Sequence, residues 1–138
     1  MERKEILLVE DEPGDTFLAQ CLLRGSEFVV STATTFRMAI DCYDKAHQDL
    51  VLLDLGLPDS HGLATYDGFR YAYPDASILV WSGLSDEHLA RYLQDNGALG
   101  YIVKTYLTFD SGSTLTDLCR RALSEASQLP DIKSNPPK

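Results

Sequence analysis

Five side chains in this sequence are of types that can do chemistry together: Glu10, Asp11, Asp54, Ser82 and Lys104. Each stands at the end of a short apolar run. Ile6-Leu7-Leu8-Val9 leads into Glu10 and Asp11, Leu50-Val51-Leu52-Leu53 into Asp54, Ile78-Leu79-Val80-Trp81 into Ser82, and Gly100-Tyr101-Ile102-Val103 into Lys104. Three carboxylates brought within a few ångströms repel one another and resist full ionisation unless a cation joins them. A hard divalent ion with oxygen ligands and retained waters suits such a set, and Mg²⁺ is the favoured one. Lys104 adds positive charge. Together they would hold a phosphoryl group on Asp54, with Ser82 donating a hydrogen bond to one of its oxygens.

These residues meet only if the runs lie side by side. Each run is too short for a helix and is bounded by polar and turn residues, so it reads as a strand buried on both faces. Phe28-Val29-Val30 is a further short strand, and Ser31 to Thr35 read as a loop. Between the strands lie segments of helical spacing. The first carries Phe17, Leu18, Cys21 and Leu22 on one face, with Asp15 or Thr16 as its cap. Phe36 to Ala46, Gly62 to Tyr73, Glu87 to Asn96 and Leu115 to Leu129 follow. Five βα units in succession predict an α/β fold. This is a doubly wound five-stranded parallel sheet, flavodoxin-like, with right-handed crossovers and helices on both faces. Ligands in such sheets bind beyond the carboxyl ends of the strands, where the five residues stand.

The chain has 138 residues, 44% of them hydrophobic and 24% charged, which fits one domain with a real core. Its net charge of -9 argues against direct nucleic-acid binding and against an anionic membrane surface. No apolar run approaches a membrane span or a signal-peptide core, so a cytoplasmic protein is expected. Cys21, Cys42 and Cys119 lack metal-ligand spacing and read as buried free thiols. Residues 1–129 are expected to form the domain, and 130–138, with three prolines, an unstructured tail.

The ordered set of strand-end residues resembles the receiver domain of two-component response regulators, the CheY-like family. Glu10-Asp11, Leu53-Asp54-Leu55-Gly56-Leu57-Pro58-Asp59 with Gly62-Leu63, Trp81-Ser82-Gly83, and Gly97 through Lys104 carry the likeness, which covers about Lys4 to Ser127. The resemblance implies that Asp54 accepts a phosphoryl group from a phosphohistidine on a sensor kinase or phosphotransfer protein. It implies direct Mg²⁺ ligands in Asp11, Asp54 and the Gly56 backbone carbonyl, with Glu10 acting through water. Ser82 and Tyr101 would be the switch pair, and Lys104 would meet the phosphoryl oxygens. Output would be contact with a downstream protein, by a monomer or a phosphorylation-dependent dimer.

The family usually follows its lysine with a proline across a cis bond, and Thr105 stands there instead. Either a trans bond with a shifted loop or a cis bond is expected, and the Ser/Thr-rich stretch to Thr114 predicts a late start for the last helix. Glu10 replaces the commoner aspartate. An aspartyl-phosphate enzyme of the haloacid-dehalogenase type would need an acid at position 56, which is glycine, so turnover of outside substrates is not expected. A flavodoxin-like cofactor site would need a phosphate-cradling loop where Glu10-Asp11-Glu12 would repel one. The alternative is a pseudo-receiver, a constitutive interaction module that keeps the fold without phosphorylation.

Overall fold

A computed structural model describes residues 2–107 and 112–128. Seven strands and five α-helices follow one another. They are β1 (Lys4–Val9), α1 (Pro13–Leu22), β2 (Phe28–Ala33), α2 (Phe36–Lys45), β3 (Leu50–Leu53), β4 (Gly56–Leu57), β5 (Ser60–His61), α3 (Leu63–Ala72), β6 (Ile78–Ser82), α4 (Glu87–Asp95), β7 (Gly100–Val103) and α5 (Gly112–Gln128). Five strands form one parallel sheet in the order β2-β1-β3-β6-β7, and β4 and β5 make a small antiparallel hairpin. The doubly wound sheet is therefore as the sequence predicts.

Strand alternation divides the core in two. Leu7, Val9, Val51, Leu53, Ile78 and Val80 face one side, where Ala39 and Tyr43 of α2, Tyr66 and Phe69 of α3, and Leu93 of α4 cover them. Ile6, Leu8, Leu50, Leu52, Leu79 and Trp81 face the other, under Ala19 and Leu22 of α1 and Leu115 and Cys119 of α5. Side chains fully buried on both faces leave no polar alternative for these runs. That is why they read as continuous hydrophobic strands.

Several local expectations are corrected. α1 starts at Pro13, whose fixed φ suits a first helical turn, and its cap is Glu12, whose carboxylate accepts from Gly14 N–H at 2.7 Å. Asp15 is thereby free to point elsewhere. Phe17 is 57% exposed and Met38 is exposed too, while Ala19, Leu22 and Leu23 take the buried positions. β2 continues through Ser31 and Thr32 to Ala33, because an outer strand can expose alternate polar residues. Cys21 and Cys42 are half-buried and only Cys119 is fully buried; all three are free. No peptide bond is cis among the described residues, and Lys104–Tyr106 form a 3₁₀ turn. α5 begins at Gly112, earlier than expected. The tail from 130 to 138 lies outside the described residues.

Two side chains outside the five brace this frame. Asp59, in the β4–β5 turn, accepts from the N–H groups of Phe36 and Arg37 at 2.7 and 3.0 Å, capping α2 beside Thr35. Those bonds hold its carboxyl below the usual range. Arg70 of α3 donates to the carbonyls of Pro74, Ala76 and Gly97 at 3.0, 2.7 and 3.1 Å, and to the Tyr66 hydroxyl at 3.1 Å. One guanidinium thus joins the ends of α3 and α4 to the start of β6. Arg70→Ala leaves these acceptors without a charged donor and is expected to cost about 2 kcal/mol in urea unfolding. Arg70→Lys should recover little, since an ammonium cannot span three carbonyls. A loss within about 0.5 kcal/mol, the range of an ordinary surface change, would show the carbonyls to be satisfied otherwise.

Candidate functional site: an acidic cluster around a buried lysine

Sheet register assembles the site. Val9 lies beside Leu53, and Leu53 beside Val80. The next row is therefore Glu10, Asp54 and Trp81. Glu10 N–H donates to Ala33 O at 2.9 Å and Asp54 N–H to Val9 O at 3.0 Å, so both acids are fixed to the sheet by their backbones. By alternation all three side chains turn toward the α1/α5 face, and Lys104, following Val103 at the end of β7, turns the same way.

The carboxylates of Glu10, Asp11 and Asp54 each offer an oxygen, all within 4.8 Å of one another. Glu10 is only 1% exposed and Asp54 8%, whereas Asp11 is exposed. Glu10 is therefore held by protein donors rather than by solvent. Its Oε1 accepts from Lys104 Nζ at 2.5 Å and from Trp81 Nε1 at 2.8 Å, and its Oε2 accepts from Glu12 N–H at 3.1 Å. Lys104 Nζ also reaches Asp15 Oδ2 at 3.0 Å and lies 3.6 Å from Asp54 Oδ1. Asp15, read from sequence as a helix cap, is thus a fourth carboxylate around the lysine.

Burial works against the Lys104 charge, but Glu10, Asp54 and Asp15 outweigh it and hold its pKa above the usual lysine value. Asp54 is less well served. Burial pushes its carboxyl up to about 7; Lys104 pulls it down, Glu10 pushes it further up, and a backbone hydrogen bond from Gly56 lowers it. Lys104 sits nearer to Glu10 and Asp15, so its charge is largely engaged there. The result is a nucleophile-type carboxylate short of positive charge. Hard oxygen donors, two buried and one open to solvent, with a deficit of positive charge, fit a divalent cation such as Mg²⁺.

Ser82 and Tyr101 do not join the acids directly. Ser82 is buried at the end of β6, and its Oγ accepts from Leu84 N–H at 3.1 Å. Tyr101 of β7 is half-buried and its hydroxyl donates to Leu84 O at 2.6 Å. Both residues therefore hold the same loop residue. Gly56 lies exposed in β4, just past Asp54. Tyr92 of α4 donates to Asp67 of α3. His47, His61 and His88 are exposed and lie outside the acidic cluster, and His47 stacks on Tyr43 with ring centroids 4.4 Å apart.

A five-stranded doubly wound sheet with acids, a hydroxyl residue and a lysine at its strand ends defines a receiver-type α/β domain. Residues 6–111 match the model of the response regulator receiver domain, and the chain belongs to that family. It is 31% identical over 107 residues to the transcriptional regulatory protein ZraR of Escherichia coli, covering 78% of this chain and 24% of that protein. It is 33% identical over 123 residues to the transcriptional regulatory protein BasR of the same organism, covering 85% and 53%. The chain thus spans about a quarter to a half of the length of these relatives. Among solved structures, the signal receiver domain of a Luxo repressor protein from Vibrio parahaemolyticus superposes with a TM-score of 0.79 at 25% identity, covering 91% of this chain and 93% of that one. A CheY-like receiver domain from Methanospirillum hungatei superposes with a TM-score of 0.77 at 20% identity, covering 92% and 98%.

Proposed function

We propose that this domain is a phosphorylation-dependent signalling switch whose acceptor is Asp54. The observation that supports it best is the convergence of Glu10, Asp11, Asp54 and Lys104 at the ends of the adjacent strands β1 and β3 and of β7, in a member of the receiver family. The donor is a phosphohistidine on a sensor kinase or phosphotransfer protein. One Asp54 carboxylate oxygen attacks phosphorus, the P–N bond breaks, and its electron pair returns to the imidazole, which takes up a proton. Mg²⁺, held by Asp11, Asp54 and the Gly56 carbonyl with Glu10 behind it, would neutralise charge on the transferring group. Lys104 leaves Glu10 and meets the phosphoryl oxygens, and Ser82 turns its hydroxyl toward them.

The domain turns over no outside substrate; the acyl phosphate is lost by slow hydrolysis or passed on. Output is contact with a downstream protein partner, in this segment without direct nucleic-acid contact given the net charge of -9. Among the described residues no helix is long and apolar enough to cross a membrane. Three free cysteines accord with a reducing cytoplasm. Intact mass after incubation with acetyl phosphate tests the reading. One phosphoryl group, dependent on both Mg²⁺ and Asp54 and released by hydroxylamine, is expected. Absence of the adduct on wild type, with Mg²⁺ binding established separately, would instead make the domain a pseudo-receiver.

A further inference from the structure

Trp81 takes part in no step described above, yet its indole meets two buried members of the site, Glu10 and Lys104. Its Nε1–H donates to Glu10 Oε1 at 2.8 Å, and Lys104 Nζ lies 5.5 Å from its ring centroid. The ring itself is fully buried on the α1/α5 face of the sheet, among residues such as Leu79, Ile102 and Cys119. A buried indole N–H needs an acceptor. Here the acceptor is a charged side chain two strands away, which a glutamate reaches and a shorter acid would reach less well.

The lone pairs of Glu10 can be counted. A carboxylate offers about four acceptor sites. Trp81 and Lys104 use Oε1, and Glu12 N–H uses part of Oε2. What remains is on Oε2, and a Glu10 oxygen lies within 4.8 Å of oxygens of Asp11 and Asp54. Of the two Oε1 donors, Lys104 sits on a flexible stem and is the one that departs when a phosphoryl group arrives. Trp81 is locked by packing. The geometry points to Trp81 as a positioning residue: its N–H is the fixed bond that orients Glu10 toward the cation site, with or without Lys104. This rests on the reading of the acidic cluster as a Mg²⁺ site. Donors that orient a carboxylate from behind a metal set its affinity by roughly ten- to a hundredfold.

The chain contains one tryptophan, so replacement in a tryptophan auxotroph changes this position alone. Benzothienylalanine keeps the bicyclic shape and puts sulfur where the N–H was; 7-azatryptophan keeps the N–H. Calorimetric Mg²⁺ titration is expected to show about tenfold weaker binding for the first and wild-type binding for the second. Equal affinity in all three proteins overturns the role of Trp81 alone. No binding by wild type overturns it together with the proposed cation site. Should the sulfur analogue fail to fold, the wild type decides: its single indole ¹H–¹⁵N resonance should move along the same Mg²⁺ isotherm, and a resonance fixed through saturation overturns the inference.

Discussion

Asp54→Asn is expected to be more stable than the wild type at pH 8 in the absence of divalent ions, and no more stable near pH 4. In the folded protein burial holds the Asp54 carboxyl up at about 7; in the unfolded chain an aspartate titrates near ~3.9. Between those values the folded state keeps a proton that the unfolded state has lost. Stability from this group is therefore complete below about pH 4 and is lost as pH rises toward 7. Asparagine has no such proton to lose. The gap between variant and wild type should open across that window and level off above it, at a size on the order of 4 kcal/mol. Mg²⁺ added at pH 8 should narrow it by stabilising the wild type. Urea midpoints at the two pH values, with and without Mg²⁺, measure this directly. A gap that is the same at both pH values would mean that Asp54 is ordinarily solvated and ionised.

Lys104→Met has the opposite sign. Methionine retains much of the side-chain length but removes the charge that sits between Glu10, Asp15 and Asp54 and over the Trp81 ring. Taking one partner from a buried ionic cluster leaves an uncompensated charge, at a cost of about 3–5 kcal/mol. Glu10, at 1% exposure, is almost entirely cut off from solvent. The loss should appear in urea unfolding at pH 7.5 and shrink when Mg²⁺ is added or the pH is lowered to 5, because either a cation or a proton can replace the ammonium. Phosphorylation by acetyl phosphate should fail as well. A loss below about 1 kcal/mol that Mg²⁺ leaves unchanged would place Lys104 among ordinary exposed ion pairs.

The central strands were legible because Ile6–Val9, Leu50–Leu53 and Ile78–Trp81 are continuous apolar runs ending in polar residues, a pattern that sandwiched parallel strands impose. Asp54, Asp11 and Lys104 were legible for the same reason. What escaped depended on register and helix phase. Trp81 looked like one more apolar strand residue, and only the pairing of Leu53 with Val80 puts it in the row of Asp54 and Glu10. Glu10 was legible as a member of the acidic set, but nothing local shows the donors that come to it from Trp81 of β6 and from Lys104 after β7. Asp15 looked like a cap until Glu12, one residue before Pro13, took that place. Asp59 capping α2 crosses more than twenty residues of sequence, a distance over which spacing rules carry no signal.

Leu84 presents its side chain to solvent while its backbone is claimed twice, its N–H by the Ser82 hydroxyl and its carbonyl by Tyr101. These two bonds act in series through one residue. If Ser82 turns toward Asp54, the Leu84 N–H loses its acceptor, and the same backbone that then moves is the anchor of the tyrosine. In the proposed switch the β6–α4 loop would therefore act as a latch with a single pin, converting a change that begins at the acid into a release at the edge strand.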